Sequence, residues 1–239
     1  MPTIHRSIYR AEAKGGQEAA AVAALCAQAH ELVLGTAPGD LLTISLLRWA
    51  RQIFAYWESI DEPRTPERIF GLCAEQLEPW PGAATPRTFV PMMDIFHYLA
   101  PENLHGDPVE AWRRKAPVAQ VWGRLARLQP SMVSSYIFYH YQMQEEKPGV
   151  GDQYGIISLH EDLIFFYQER PAVVRAAEKP GKLQTTNTPP HWHDVMFPHF
   201  HRWDDAPPGQ EIWREIEPLL HRTMYKPSTT LLDAGVFPS

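Results

Sequence analysis

The chain's 239 residues, 44% of them hydrophobic and 21% charged, suffice for one large domain or two small ones with an ordinary packed core. No apolar run reaches about 18 residues and no basic-then-apolar leader opens the chain, which excludes a membrane-spanning helix and predicts a cytoplasmic location. The 22 Lys and Arg against 28 Asp and Glu, a net charge of −6 spread along the sequence, leave no basic face for nucleic acid, and two cysteines, Cys26 and Cys73, exclude a disulfide framework or a cysteine-based zinc site.

Residues 4–12 place Ile8 and Tyr9 among charged neighbours and end at Gly15-Gly16, the pattern of an edge strand. Residues 17–34, rich in Ala, Leu and Val and free of Gly and Pro, predict a helix with Gly35 as its C-cap. Two apolar runs, 41–49 and 53–60, broken at Arg51-Gln52, predict a β-hairpin. Thr65-Pro66-Glu67 is a helix start, giving a second helix to about residue 78 and a loop over 79–86. Residues 118–128 read as a strand. The segment after Pro130-Ser131 has strand-like aromatic content, yet Met132, Tyr136, His140 and Met143 recur at helical spacing ahead of Pro148-Gly149. Residues 154–160 and 163–170 follow as strands about a tight break at Glu161-Asp162.

The order strand, helix, strand, strand therefore occurs twice, and the repetition assigns 131–146 to a helix. Phe54, Tyr56 and Glu58 of the first half align with Phe165, Tyr167 and Glu169 of the second, and Cys26 and His30 align with Tyr136 and His140, all at an offset of about 110 residues. The predicted fold is α+β, two tandem ferredoxin-like β-α-β-β-α repeats: residues 1–100, a linker over 101–117, and residues 118–239. Each unit carries its helices on one face of a small antiparallel sheet and leaves the other face bare. Packing the two bare faces together gives a dimeric-α/β-barrel-like pseudo-dimer, with Phe54, Tyr56, Phe165 and Tyr167 on shared strand faces and suited to its core.

The stretch from Trp122 to Glu169 resembles the L-rhamnose mutarotase family. It carries a strand ending Leu128-Gln129-Pro130, a helix with Tyr136 and His140, the strand 154–159, and Leu163, Phe165 and Glu169 on the next strand. Trp192-His193-Asp194-Val195-Met196 partly matches the family's Trp-Trp-x-x-Met, and residues 227–237 echo its C-terminal tail. Gln144-Glu145-Glu146 stands where the family has Trp-Pro-Glu, His193 replaces the second Trp, and about 176–190 is an insertion. The first half keeps His30 but has Cys26 for the Tyr, with Met92 to Phe96 in the place of the Trp motif. The resemblance implies one site per chain, in the second repeat, and a cofactor-free isomerase that interconverts the anomers of a small aldose such as L-rhamnose.

Tyr136 and His140 lie one helical turn apart on one face and can converge on one ligand. Anomer exchange needs a proton taken from the anomeric hydroxyl and one given to the ring oxygen, work a neutral imidazole performs in either direction and that typically contributes about 10²–10⁴-fold. His140 is the expected proton-transfer group and Tyr136 its orienting or relaying partner. Trp192 offers a flat apolar face, and His193, Glu169, Gln144 and Tyr167 complete the substrate-binding set. The 8 Trp, 9 Tyr, 10 Phe and 11 His suit a neutral, hydrogen-bonding ligand. The imidazoles of His191, His193, His199 and His201 include i, i+2 pairs that can chelate a metal, but no His-Glu-x-x-His or Cys pair accompanies them, so no metal and no cofactor is expected. Expected partners are a small neutral sugar or similar metabolite, without nucleic acid or membrane, in a monomer or homodimer. Two rival readings are a cofactor-independent monooxygenase or other small-molecule enzyme on the same barrel, and a non-catalytic metabolite-binding protein.

Overall fold

Period-two alternation over Phe54, Tyr56 and Glu58, and over Phe165, Tyr167 and Glu169, sends one set of side chains inward and the intervening set toward the helices, and this division organises the molecule. The computed structural model describes residues 2–81, 87–146 and 150–225, apart from the side chains at 72 and 74. The tail echo at 227–237, the helix stop at Pro148-Gly149 and most of the 79–86 loop lie outside the described residues.

The first repeat comprises β1 (Ile4–Glu12), α1 (Glu18–Glu31), β2 (Leu41–Trp49), β3 (Gln52–Ile60), α2 (Pro66–Phe70), β4 (Phe89–Pro91) and β5 (Met93–His97). The connection carries α3 (Pro108–Trp112). The second comprises β6 (Gln120–Leu128), α4 (Val133–Glu146), β7 (Val150–Asp152), β8 (Ile156–His160), β9 (Leu163–Arg170), β10 (Val174–Ala176), α5 (Trp192–Met196), β11 (Phe200–His201) and β12 (Arg214–Thr223). The main sheet runs β4-β1-β3-β2-β12-β6-β9-β8-β5, so each half has the same antiparallel order. β12 joins the halves, pairing with β6 through Arg214 to Ile216 and with β2 through Glu217 to Thr223. The ends of the order, β4 and β5, are separated by Met92 alone, and the sheet curls into a near-closed barrel. No helix among the described residues is long and apolar enough to cross a membrane.

The predicted tandem fold is present, with four local corrections. β1 is not an edge strand: it lies between β3 and β4. α1 ends at Glu31 rather than at Gly35, because one Arg222 nitrogen from β12 donates to the carbonyls of Ala29, His30 and Leu32 at 2.6, 2.8 and 2.8 Å and caps the helix from outside. Gly35 instead permits a close approach, since a Cβ there would lie 2.0 Å from Asp40 Oδ2. The second helix shortens to α2 and a 3₁₀ turn over Gly71–Gln76. Finally, each repeat has a fourth strand that the pattern did not disclose, β4–β5 and β12, and these close the barrel.

The alignment of the repeats also shifts. The first residues of α1 and α4, Glu18 and Val133, are 115 apart, as are Ile8 and Gly123, which face Tyr56 and Tyr167 across their strand pairs. The hairpins are offset by 111. The counterparts of Tyr136 and His140 are therefore the buried Ala21 and Leu25, whereas Cys26 is half-buried and His30 exposed.

Counterpart side chains meet inside the barrel. Phe54 stacks on Phe165 with centroids 4.9 Å apart and Tyr56 on Tyr167 at 4.1 Å. Such pairs add roughly 0.5–1.5 kcal/mol each beyond their buried area. Ile8, Leu47, Val121, Leu125, Leu163 and Ile216 fill the space around them. On the outer faces, α1 covers Ile44, Ile53, Ala55 and Trp57, and α4 covers Ala126, Leu128, Leu159 and Ile164. The insertion at 176–190 is strapped to the end of α4: Glu146 accepts from the backbone of Asn187 and Thr188 at 2.9 and 2.7 Å and from both threonine hydroxyls, Thr185 and Thr188. Desolvation alone would raise the Glu146 carboxyl, but these bonds hold it down at about 2.

Candidate functional site

Glu58 and Glu169 follow Tyr56 and Tyr167 by two residues, so their carboxylates also point inward, 0% and 1% exposed. Two buried carboxylates require a counter-charge. Arg114, just past α3, supplies it: Nε donates to Glu169 Oε2 at 2.9 Å, Nη2 to Glu169 Oε1 at 2.5 Å and to Glu58 Oε1 at 3.0 Å, and Nη1 to Glu58 Oε2. Tyr56 donates to Glu58, and Tyr167 donates to Glu169 at 2.8 Å. Arg6 adds a second cation, its Nε 3.0 Å from the Tyr56 hydroxyl. The Arg114 guanidinium lies 3.8 Å over the Tyr154 ring, and the Tyr154 hydroxyl donates to the Trp112 carbonyl at 2.9 Å.

Because the Tyr167 hydroxyl donates to Glu169, its oxygen receives Ser45 Oγ at 3.0 Å, and Ser45 in turn receives His221 Nδ1 at 2.8 Å. A hydrogen-bonded chain thus runs from His221 on β12 to Glu169. Burial opposes ionisation of Glu58, but the Arg114 charge and hydrogen bonds, helped by Arg6, outweigh it and hold the carboxyl below its usual range. Desolvation works against the Arg114 charge, yet the two carboxylates push its pKa well up. Burial raises both tyrosine hydroxyls well above their usual value, keeping them donors, and lowers His221, keeping it neutral at pH 7.

Beside this cluster opens a cavity of about 150 Å³. Ala116, Pro117, Val118, Pro171 and Val173 supply apolar wall, while Arg114, Tyr154, Glu169 and Gln153 supply its polar side. Arg113, Lys115 and Arg175 also line it. A volume of this order holds a benzene-sized ring.

The seven residues expected to form the site fall in two places. On α4, the Tyr136 and His140 rings lie 4.1 Å apart, with Trp192 5.0 Å and Phe96 5.5 Å from His140. Tyr136 and His140 are 1% and 4% exposed. His140 Nδ1 donates to the Tyr136 carbonyl at 2.9 Å, which leaves Nε2 as the acceptor nitrogen. Burial lowers the His140 pKa to about 4, the carbonyl opposing and His199 adding, so the imidazole is neutral at pH 7. Burial likewise raises the Tyr136 hydroxyl. Gln144 accepts from the His97 backbone at 2.9 Å and ties α4 to β5, and His193 is exposed on α5. Glu169 and Tyr167 lie inside the barrel, on the opposite face of β9 from Ile164, which packs with Tyr136. Strand alternation thus separates them from His140.

His199 is buried, its Nε2 2.8 Å from Ser135 Oγ, while His191, His193 and His201 are exposed. Among the described residues no three His, Cys, Asp or Glu side chains are grouped to hold a metal ion. Arg6, Arg114, Tyr154 and His221 were not foreseen from sequence. The available signal was electrostatic: two glutamates on inward faces demand a cation, and Arg113-Arg114-Lys115 is the basic run in the connection.

No protein-family model matches the chain, and no curated protein matches it. Two solved structures are similar, both of provisionally named monooxygenases. One, from Fusobacterium nucleatum subsp. nucleatum, has 9% identity over 93% of this chain and 94% of its own, with a TM-score of 0.40. The other, from Lactobacillus acidophilus NCFM, has 9% identity over 93% and 97%, with a TM-score of 0.39. These likenesses are too distant to assign an activity. Topology and site together define a duplicated α+β barrel with a buried carboxylate–arginine cluster beside a small cavity.

Proposed function

We propose that this chain is a small-molecule-binding barrel protein, equipped for acid–base chemistry, whose ligand occupies the cavity beside Arg114 and Glu169. The observation that carries this reading is the meeting of a buried polar cluster with open space in a barrel otherwise filled by stacked aromatic rings. A ligand proton laid against Glu169 would meet a carboxylate fixed by Arg114 and Tyr167, the tyrosine hydroxyl being held in turn by Ser45 and His221. Saturation-transfer NMR against small ring compounds and aldoses, on the natural chain and on Val173→Trp, tests the reading. Signals lost on filling the cavity support it, and signals that persist refute it.

A second reading follows the resemblance to the L-rhamnose mutarotase family and is favoured by the mutual contact of Tyr136, His140 and Trp192. A neutral imidazole with an acceptor nitrogen is the required base. Since His140 is buried, a sugar would reach it by displacing Trp192 on α5. Anomer exchange that is lost in His140→Ala and kept in Val173→Trp would favour this site. For a cofactor-independent monooxygenase the corresponding assay is oxygen uptake with an aromatic or quinol substrate.

A further inference from the structure

Resting on the reading that the barrel-end cavity is the ligand site, we propose that its ligand is a small neutral ring compound with an N–H donor beside a carbonyl acceptor, of the benzamide class, and neither an anion nor a sugar. The charges around the cavity cancel. Arg113 Nη1 pairs with Glu110 at 2.9 Å, Arg175 Nη2 with Glu178 at 3.2 Å, and Arg114 with Glu58 and Glu169 together. Lys115 is exposed, where solvent screens it. An entering anion would find the other cations taken and the Glu169 carboxylate in the wall against it.

Hydrogen-bonding capacity, unlike charge, is left over. A carboxylate has about four acceptor positions. Glu169 Oε1 receives both Arg114 Nη2 and Tyr167, but Oε2 receives Arg114 Nε alone, so one position on this buried carboxylate is unfilled among the described residues. Gln153, also buried in the lining, is held loosely: Nε2 lies 3.3 Å from the Ala111 carbonyl and Oε1 3.4 Å from Arg175 Nη1, both beyond the usual 2.7–3.2 Å for N–H···O. Arg113 Nε is buried with no hydrogen-bond partner among the described residues. The lining therefore lacks a donor for Glu169 and an acceptor for Gln153 and Arg113, and a carboxamide carries both on one carbon.

The walls set the rest of the ligand. A volume of about 150 Å³ faced by Pro117, Val118, Pro171 and Val173 accepts a flat apolar ring. A sugar of similar size would press most of its hydroxyls against those side chains without partners.

Calorimetric titration of the full chain with benzamide, acetophenone, sodium benzoate and L-rhamnose tests the proposal. The first three share one shape and differ only in what stands beside the carbonyl: an amino group, a methyl group or a charged oxygen. Benzamide is expected to bind about tenfold more tightly than acetophenone, the effect of one hydrogen bond to a charged acceptor, and more tightly than benzoate by at least as much. In Glu169→Gln, which removes that charged acceptor, the ratio of benzamide to acetophenone affinity is expected to fall to about threefold or less, a change that loosened packing alone would not produce. An unchanged ratio would overturn the proposal. Acetophenone, benzoate or L-rhamnose binding as tightly as benzamide, with Val173→Trp abolishing it, would overturn the amide while leaving the cavity as the site. Binding of none of the four, or binding indifferent to Val173→Trp, would overturn the cavity reading and the amide with it.

Discussion

Replacing Arg114 by Met keeps an unbranched apolar stem in place and removes the guanidinium that neutralises Glu58 and Glu169. Glu58, 0% exposed, cannot turn to water, Glu169 is 1% exposed against the small cavity, and the remaining donors are the hydroxyls of Tyr56 and Tyr167. Removing one partner of a buried ion pair costs roughly 3–5 kcal/mol, and with two carboxylates stranded we expect about 5 kcal/mol at pH 7. The loss has a sign in pH. Glu58 of the natural chain has a depressed folded pKa, so its contribution is present above the unfolded value of about 4.5 and is lost as pH falls below it. Without Arg114, burial raises the Glu58 carboxyl, protonation relieves it, and the deficit shrinks as pH falls from about 8 toward about 5. Urea unfolding of both proteins across this range measures it. Adding Glu58→Leu and Glu169→Leu to Arg114→Met should return most of the stability, since an apolar replacement of the whole cluster strands no charge. A deficit below about 1 kcal/mol at pH 7, or one equal at every pH, would refute the reasoning.

Gly123→Val should destabilise the barrel by roughly 1–3 kcal/mol, because a Cβ there would lie 2.3 Å from Leu47 Cδ2 and 3.0 Å from Ile216 Cγ1; chemical denaturation should show part of the loss recovered by Leu47→Ala. His140, with its folded pKa near 4, stabilises the fold fully above about pH 6.5 and loses up to roughly 3 kcal/mol as pH falls toward 4. Stability of His140→Leu should lack that part of the pH slope, and an unchanged slope would place the titration elsewhere. Glu146→Ala removes the acceptor shared by Thr185, Asn187 and Thr188, so trypsin should cut after Lys182 several-fold faster, and an unaltered cutting rate would show the strap to be held by other contacts.

The hairpins were legible because tight turns and period-two alternation leave little freedom, and the same alternation put Phe54, Tyr56, Phe165 and Tyr167 on shared core faces, though not which ring would stack on which. Local pattern could not show where α1 stops, since the group that caps it, Arg222, comes from the far end of the chain. Identities between the repeats were too sparse to fix the helices, whose connection to the hairpin is shorter in the second half, and the alignment slipped by more than a turn. The closing strands escaped notice because β4 and β5 are short and β12 carries Pro218 at a bulge. Of the candidate site, Glu169 was legible from its strand face. Arg114 was not, because its role depends on a carboxylate from each repeat. The spacing of Tyr136 and His140 gave their shared helix face correctly, but what covers that face, Phe96 and Trp192, is set by tertiary packing.

The most direct test of the ligand cavity is an amide ¹H–¹⁵N correlation spectrum of the chain during titration with benzamide. Shifts that cluster in residues 111–118, 153–154 and 169–175 and saturate with added ligand are the expected result. Shifts centred on 133–146 and 192–196, around His140, or none along the chain, would contradict it.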